Sequence, residues 1–232
     1  MSPQPNRPSA PILCYVTQRS SLRPGAPSPA AEALLEKIAA TIAAGVNWIQ
    51  LREKDLSARD GAALTRAALM CASKHASNSG GARILLNDRL DVALAEKAAG
   101  VHLGERSLPV QNARKLVNQY RAGENPPFLV GVSCHSLHAA QAAAASGADY
   151  VFFGPIFATP SKAAFGSPQG LERLAEVCEA VSIPVLAIGG ITLGNAASCL
   201  AAGAAGLAAI RLFQDAADLP GIIRSLHAMP TG

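Results

Sequence analysis

The segment WIQLREK alternates Gln50, Arg52 and Lys54 with Leu51 and Glu53, so an extended chain carries an amide and two cations along one side. A guanidinium fork beside an ammonium suits a diphosphate. Asn87-Asp88 closes another apolar run. An amide next to a carboxylate can hold a magnesium ion shared with phosphate oxygens, or it can cap the helix expected over LDVALAEKA. Ser133-Cys134-His135 ends a third run, where a hydroxyl and an imidazole can hydrogen-bond a ring or move a proton. His102 precedes the end of a further run, and His75, His138 and His227 fall in predicted helices. These four histidines read as structural or solvent-exposed.

Two later segments add anion-binding chemistry. GPIFATPSKAAFGSPQG places Thr159, Ser161 and Lys162 on a long loop, a pattern expected of a lid over an anionic group. Gly189-Gly190 lets backbone N–H groups approach a phosphate closely, and Arg211 follows one run later. Together these residues predict two anion sites, one for a diphosphate and one for a monophosphate.

Short apolar runs must position them. The candidate strands are ILCYVT (12–17), WIQLRE (48–53), RILLND (83–88), GVHLG (100–104), FLVGVS (128–133), YVFFGPIF (150–157), PVLAIGG (184–190) and GLAAIRLF (206–213). Most are continuously apolar, as strands of a parallel sheet covered on both faces are. Helical stretches alternate with them. In AAEALLEKIAATIAAG, Leu34, Ile38 and Ile42 fall on one face and Gly45 supplies the stop. SLHAAQAAAASGAD and LERLAEVCEAV behave likewise, and Pro109 opens a helix at VQNARKLVNQY. Eight strand–helix units predict the α/β class and a single (β/α)8 TIM barrel over residues 11–232. An open doubly wound sheet would need a Gly-rich fingerprint after its first strand, and QRSSLRPGAPSPA offers none. That stretch reads as a mobile first loop, and residues 1–10 as a disordered tail. In such a barrel the site lies at the C-terminal ends of the strands.

Composition narrows the classes. The 232 residues are 50% hydrophobic but only 4% aromatic, so aliphatic side chains must fill the core. Twenty Lys+Arg against sixteen Asp+Glu give a net charge of +4 with no basic run, which argues for small anionic ligands rather than nucleic acid. Five cysteines without a CxxC spacing fit a reducing cytoplasm and no disulfide framework. No apolar signal segment is expected in MSPQPNRPSAP, and the uncharged stretch Ala180–Ile210 is broken by Pro184 and by glycines, so no membrane association is expected.

The motifs QLREK (50–54), LLNDRLDVAL (85–94), GVHLG (100–104), GVSCHS (131–136), GADYVFFGPIFATPSK (147–162), PQGLERL (168–174) and IPVLAIGGIT (183–192) resemble the thiamine phosphate synthase / thiazole tautomerase family. For the synthase branch the resemblance implies a transferase that couples hydroxymethylpyrimidine diphosphate with thiazole phosphate. The products are thiamine phosphate and diphosphate, and Mg2+ is the cofactor. It further implies that Gln50, Arg52, Lys54, Asn87, Ser133 and Lys162 hold the pyrimidine diphosphate and that Asp88 binds the metal. Thr159, Ser161, Gly190, Ile210 and Arg211 would surround the thiazole phosphate. Arg52 and Lys162 would stabilise the departing diphosphate, so no protein nucleophile is needed.

The sequence departs from the synthase pattern at HLGERS (102–107). The resemblance leads one to expect a second metal-binding Asp where Ser107 stands, and a serine where Arg211 stands. GERSLPV resembles the tautomerase branch, which implies an isomerase with His135 as proton shuttle on a thiazole phosphate. A non-catalytic phosphate-binding relative is a third alternative. The partners expected are small phosphorylated molecules, with room for a homo-oligomer.

Overall fold

The computed structural model describes residues 10–22, 30–75, 81–123, 125–159 and 167–230. Eight parallel strands close into one barrel in chain order: β1 (Ile12–Val16), β2 (Trp48–Leu51), β3 (Arg83–Asn87), β4 (Gly100–Leu103), β5 (Leu129–Cys134), β6 (Tyr150–Phe153), β7 (Val185–Ile188) and β8 (Gly206–Ala209). The chain is a single (β/α)8 barrel of the α/β class. Around it run α1 (Ala30–Ala43), α2 (Ala58–Lys74), α3 (Leu90–Ala95), α4 (Val110–Tyr120), α5 (Leu137–Ala145), α6 (Gly170–Ala180), α7 (Leu193–Ala201), α8 (Arg211–Gln214) and α9 (Leu219–His227). Among the described residues no helix is long and apolar enough to cross a membrane. The expected disordered tail lies, save for Ala10, outside the described residues.

The two faces of each strand build two cores, as the continuous apolar runs require. Leu34, Ile38 and Ile42 of α1 are buried against the outer face with Leu13, Tyr15 and Ile49. The lumen is filled by Cys14, Val16, Leu85, Tyr150, Phe152, Leu186 and Ala208. Here side-chain volume is exchanged between neighbouring strands. Gly131 stands beside Tyr150 in register, and a Cβ at Gly131 would lie 2.0 Å from the Tyr150 ring. Asn87, His102, Gly131 and Tyr150 thus form one row across β3 to β6.

Several ends differ from the sequence expectation. β2 stops at Leu51 because the Arg52 N–H is taken by Thr17 Oγ1 at 3.0 Å. β6 stops before Gly154-Pro155, since proline has no N–H for the ladder. β8 ends at Ala209 rather than Phe213. Ile210 takes up helical dihedrals, and Arg211–Gln214 form α8, which turns Phe213 onto Tyr15 with ring centroids 6.2 Å apart. Pro109 is the N-cap of α4 rather than its first residue. The first loop is held at its start: Glu53 accepts the Thr17 hydroxyl at 2.6 Å and the Arg19 N–H at 3.1 Å, while the Arg19 guanidinium grips Asp55 at 2.7 Å. Residues 23–29 of that loop lie outside the described residues.

His102 is enclosed in the lumen. Burial pushes its imidazole down to about 3, against the pull of Asp88 and with the help of Arg52. The unfolded chain therefore takes up a proton that the folded one refuses. Stability is expected to fall as pH drops below about 6.5, by at most about 1.4 kcal/mol per pH unit from this group. Denaturant titrations of the wild type and His102→Gln across that range check it, because the substitution removes this part of the slope. Gly131→Ala is expected to cost about 1–3 kcal/mol through overpacking against Tyr150, read as a lowered denaturant midpoint.

Candidate active site

At the end of β3 the backbone turns sharply, with Asp88 at φ +60°. This left-handed conformation is tolerated by aspartate better than by most residues. It aims the Asp88 carboxylate at the loop after β4. There Oδ1 accepts the Gly104 N–H at 2.9 Å and the Ser107 hydroxyl, and Oδ2 accepts Asn87 Nδ2 at 2.8 Å. Buried Gln50 donates in turn to Asn87 Oδ1 at 3.3 Å, which completes a hydrogen-bonded line from β2 to the β4 loop. Burial pushes the Asp88 carboxyl up, but the Ser107, Gly104 and Asn87 hydrogen bonds and the Lys54 ammonium outweigh it, so its pKa lies below the ordinary range. The helix-cap alternative does not hold. Arg89 occupies the N-cap of α3, with no side-chain cap bond.

The two cations beside this line separate. Arg52 is half-buried, and its side chain has no hydrogen-bond or ion-pair partner among the described residues. It is close enough to His102 to lower that imidazole's pKa, as a lumen-facing guanidinium would be. Lys54 is exposed and lines a cleft of about 320 Å³ with Asn87, Asp88 and Arg89, over an apolar floor that includes Leu64 and Val92. Gln50 and Lys54 therefore adjoin Asn87-Asp88, Lys54 from the α2 side, while Arg52 acts on His102.

Across the mouth, Ser133 sits half-buried on β5 with its Oγ 2.9 Å from His102 Nε2, while His102 Nδ1 lies 3.2 Å from the Tyr150 hydroxyl. His102 belongs to the site's support and is not solvent-exposed. His135, just beyond β5, is half-buried with Nδ1 on the Gly154 carbonyl. A carbonyl only accepts, so Nδ1 carries the proton and Nε2 is the basic nitrogen. His75 and His227 bond the Cys71 and Gly45 carbonyls, and His138 is exposed on α5. His102 is structural, one of the two roles expected of it, whereas its partner Tyr150 was not singled out from the sequence. The signal that finds His102 is period-two spacing from Gly100, which puts both on the lumen side of β4.

The loops after β6 and β7 continue the sheet: the Ile156 and Phe157 N–H groups donate to the Ile188 and Gly189 carbonyls at 2.9 and 3.0 Å. Gly190 has φ +69°, and a Cβ there would lie 2.7–2.9 Å from Phe157 Cβ and the Ala158 and Phe157 carbonyls. Close approach between these loops thus demands glycine at that position. Thr159 is half-buried on the first of them; Ser161 and Lys162 lie outside the described residues. Ile210 is half-buried after β8, and Arg211, exposed, opens α8 instead of ending a strand. All the described candidates stand at the C-terminal end of the barrel.

Among the described residues no group of three or more His, Cys, Asp or Glu converges as a metal cage. One ionised carboxylate fits a Mg2+ that takes its remaining ligands from phosphate oxygens and water, with the nearby cations facing the phosphates.

The comparisons with known proteins agree with this barrel. The family model described as thiamine monophosphate synthase matches residues 19–213. The chain is 46% identical to the thiamine-phosphate synthase of Methanoculleus marisnigri over 185 residues, covering 80% of this chain and 82% of the relative. It is 41% identical to that of Moorella thermoacetica over 217 residues, covering 94% and 95%. A solved thiamine phosphate pyrophosphorylase from Pyrococcus furiosus superposes with a TM-score of 0.75 at 30% identity, covering 94% of this chain and 95% of that one. A chain that carries the family's pattern from Arg19 to Phe213 on the family's barrel belongs to the thiamine monophosphate synthase family.

Proposed function

We propose that this chain is a thiamine-phosphate synthase of thiamine biosynthesis. As a transferase it joins hydroxymethylpyrimidine diphosphate to thiazole phosphate and releases diphosphate. The observation that carries the reading is the family match over residues 19–213 together with the Gln50–Asn87–Asp88 line at the mouth of the barrel. Arg52 and Lys54 approach this line from the lumen and from the α2 side, and they bind the diphosphate oxygens as negative charge builds on them. Gln50, Asn87 and Ser133 orient the pyrimidine, and Thr159, Ser161, Gly190, Ile210 and Arg211 hold the thiazole phosphate. Lys162, outside the described residues, would bind the diphosphate as the family resemblance implies. Asp88 would hold Mg2+, which when bound neutralises the departing diphosphate. The reaction takes place in the cytoplasm on small phosphorylated molecules.

A single carboxylate distinguishes this metal position from one with two. Ser107 supplies a hydroxyl that donates to Asp88 and adds no charge of its own. The site then depends on substrate oxygens for most of the metal's ligands.

The second reading is a thiazole tautomerase, favoured by the bare Nε2 of His135 at the site's edge. One assay separates the two. With Mg2+ and both phosphorylated substrates, the purified protein is expected to release diphosphate and form thiamine phosphate. Asp88→Asn is expected to reduce that rate by about 10²–10³-fold with thermal stability retained. Aromatisation of a thiazole phosphate tautomer without any coupling, abolished by His135→Ala, would give the tautomerase the case. Ser107→Asp is expected to lower the Mg2+ concentration needed for half-maximal coupling; an unchanged metal titration would remove Ser107 from the metal's surroundings.

A further inference from the structure

His102 lies on the lumen side of β4 with Phe152 against its ring, centroids 4.1 Å apart, and both nitrogens engaged. A neutral imidazole has one N–H, so one contact is donated by the ring and the other accepted. Distances of 2.9 Å to Ser133 and 3.2 Å to Tyr150 do not by themselves choose between the two tautomers. Tyr150 does. It is fully buried, and His102 is its sole hydrogen-bond partner among the described residues. With the proton on Nδ1, the phenol O–H would have no acceptor. A buried donor left alone is the costlier omission, whereas an unused oxygen lone pair is tolerated. The Tyr150 hydroxyl therefore donates to Nδ1, and Nε2–H donates to Ser133 Oγ. Ser133 has no other partner among the described residues, so its own proton is free to point into the mouth.

We propose that Tyr150 and His102 are positioning residues that set Ser133 as a hydrogen-bond donor to the substrate, so that the atom seated there is an unprotonated acceptor: a ring nitrogen or a phosphate oxygen. The packing supports a fixed chain. The Trp48 ring lies 4.7 Å from that of Tyr150, and Gly131 leaves the phenol its space, so the hydroxyl is held against Nδ1. Polarity runs one way, from the floor of the lumen to the reacting end. The inference rests on Ser133 touching substrate, as in the function proposed above.

The first test needs no activity. Long-range proton–nitrogen correlation spectra of the full chain labelled with ¹⁵N-histidine are expected to show His102 protonated at Nε2 and bare at Nδ1. The opposite tautomer, or a mixture, overturns the proposal even if the chain proves to be a synthase. A wild type with this tautomer but no coupling activity would instead remove the functional reading. The second test is a cycle in kcat/KM for coupling with wild type, Tyr150→Phe, Ser133→Ala and the double variant. Tyr150→Phe is expected to cost about fivefold to tenfold, mainly through KM for the pyrimidine diphosphate, and almost nothing once Ser133 is alanine. Losses that simply add would mean that Tyr150 acts through packing, and would overturn the proposal. Binding of inorganic diphosphate and of the unphosphorylated pyrimidine alcohol to wild type and Ser133→Ala then identifies the acceptor: the weakened ligand carries it, and if neither is weakened the donor role falls.

Discussion

A barrel of eight short parallel strands has a lumen of limited width, and what fits inside it is decided where a large side chain meets a neighbour without one. Tyr150 beside Gly131 is that place. The phenol occupies space that any Cβ would deny it, and its hydroxyl reaches across β5 to the ring of His102 on β4. From there the hydrogen bonds pass to Ser133 at the mouth. The floor of the barrel and the polar end of the site are therefore one construction. A change of volume in the lumen is felt as a change of direction in a hydroxyl.

The polar end itself is assembled by backbone geometry as much as by side-chain type. Asp88 is turned toward the β4 loop by its left-handed dihedral, and three donors then fix the carboxylate there. Gln50 and Asn87 add no charge but bind the ends of β2 and β3 into the same line. Electrostatics complete the arrangement. The carboxylate is kept ionised by its donors and by Lys54, and the imidazole is kept neutral by burial. An ionised group and a neutral one are thus maintained on neighbouring strands, by water-exposed hydrogen bonding on one side and by exclusion of water on the other.

Much of this was legible in the residues themselves. Continuous apolar runs gave the eight strands, and the four-residue spacing of Leu34, Ile38 and Ile42 gave the buried face of α1. Gln50, Asn87 and Asp88 stood out because amides and a carboxylate close apolar runs at the ends where a barrel places its chemistry. The last turns of strands were harder. GLAAIRLF reads as one apolar strand, yet Phe213 finds its partner on Tyr15 by turning into a helix, and no local pattern records that contact. His102 was hidden for the same reason. Its meaning depends on a tyrosine 48 residues further along the chain, and a histidine within an apolar strand looks the same with or without that partner.

The dihedral at Asp88 also restricts which sequences the lineage can sample. Only glycine, asparagine and aspartate enter that region at little cost, so a longer acid such as glutamate is disfavoured there before its chemistry is tested. Descendants that need a different reach or charge at this corner must vary the opposite wall, the loop that bears Ser107. On backbone geometry alone, position 107 accepts a wider choice of side chains than position 88.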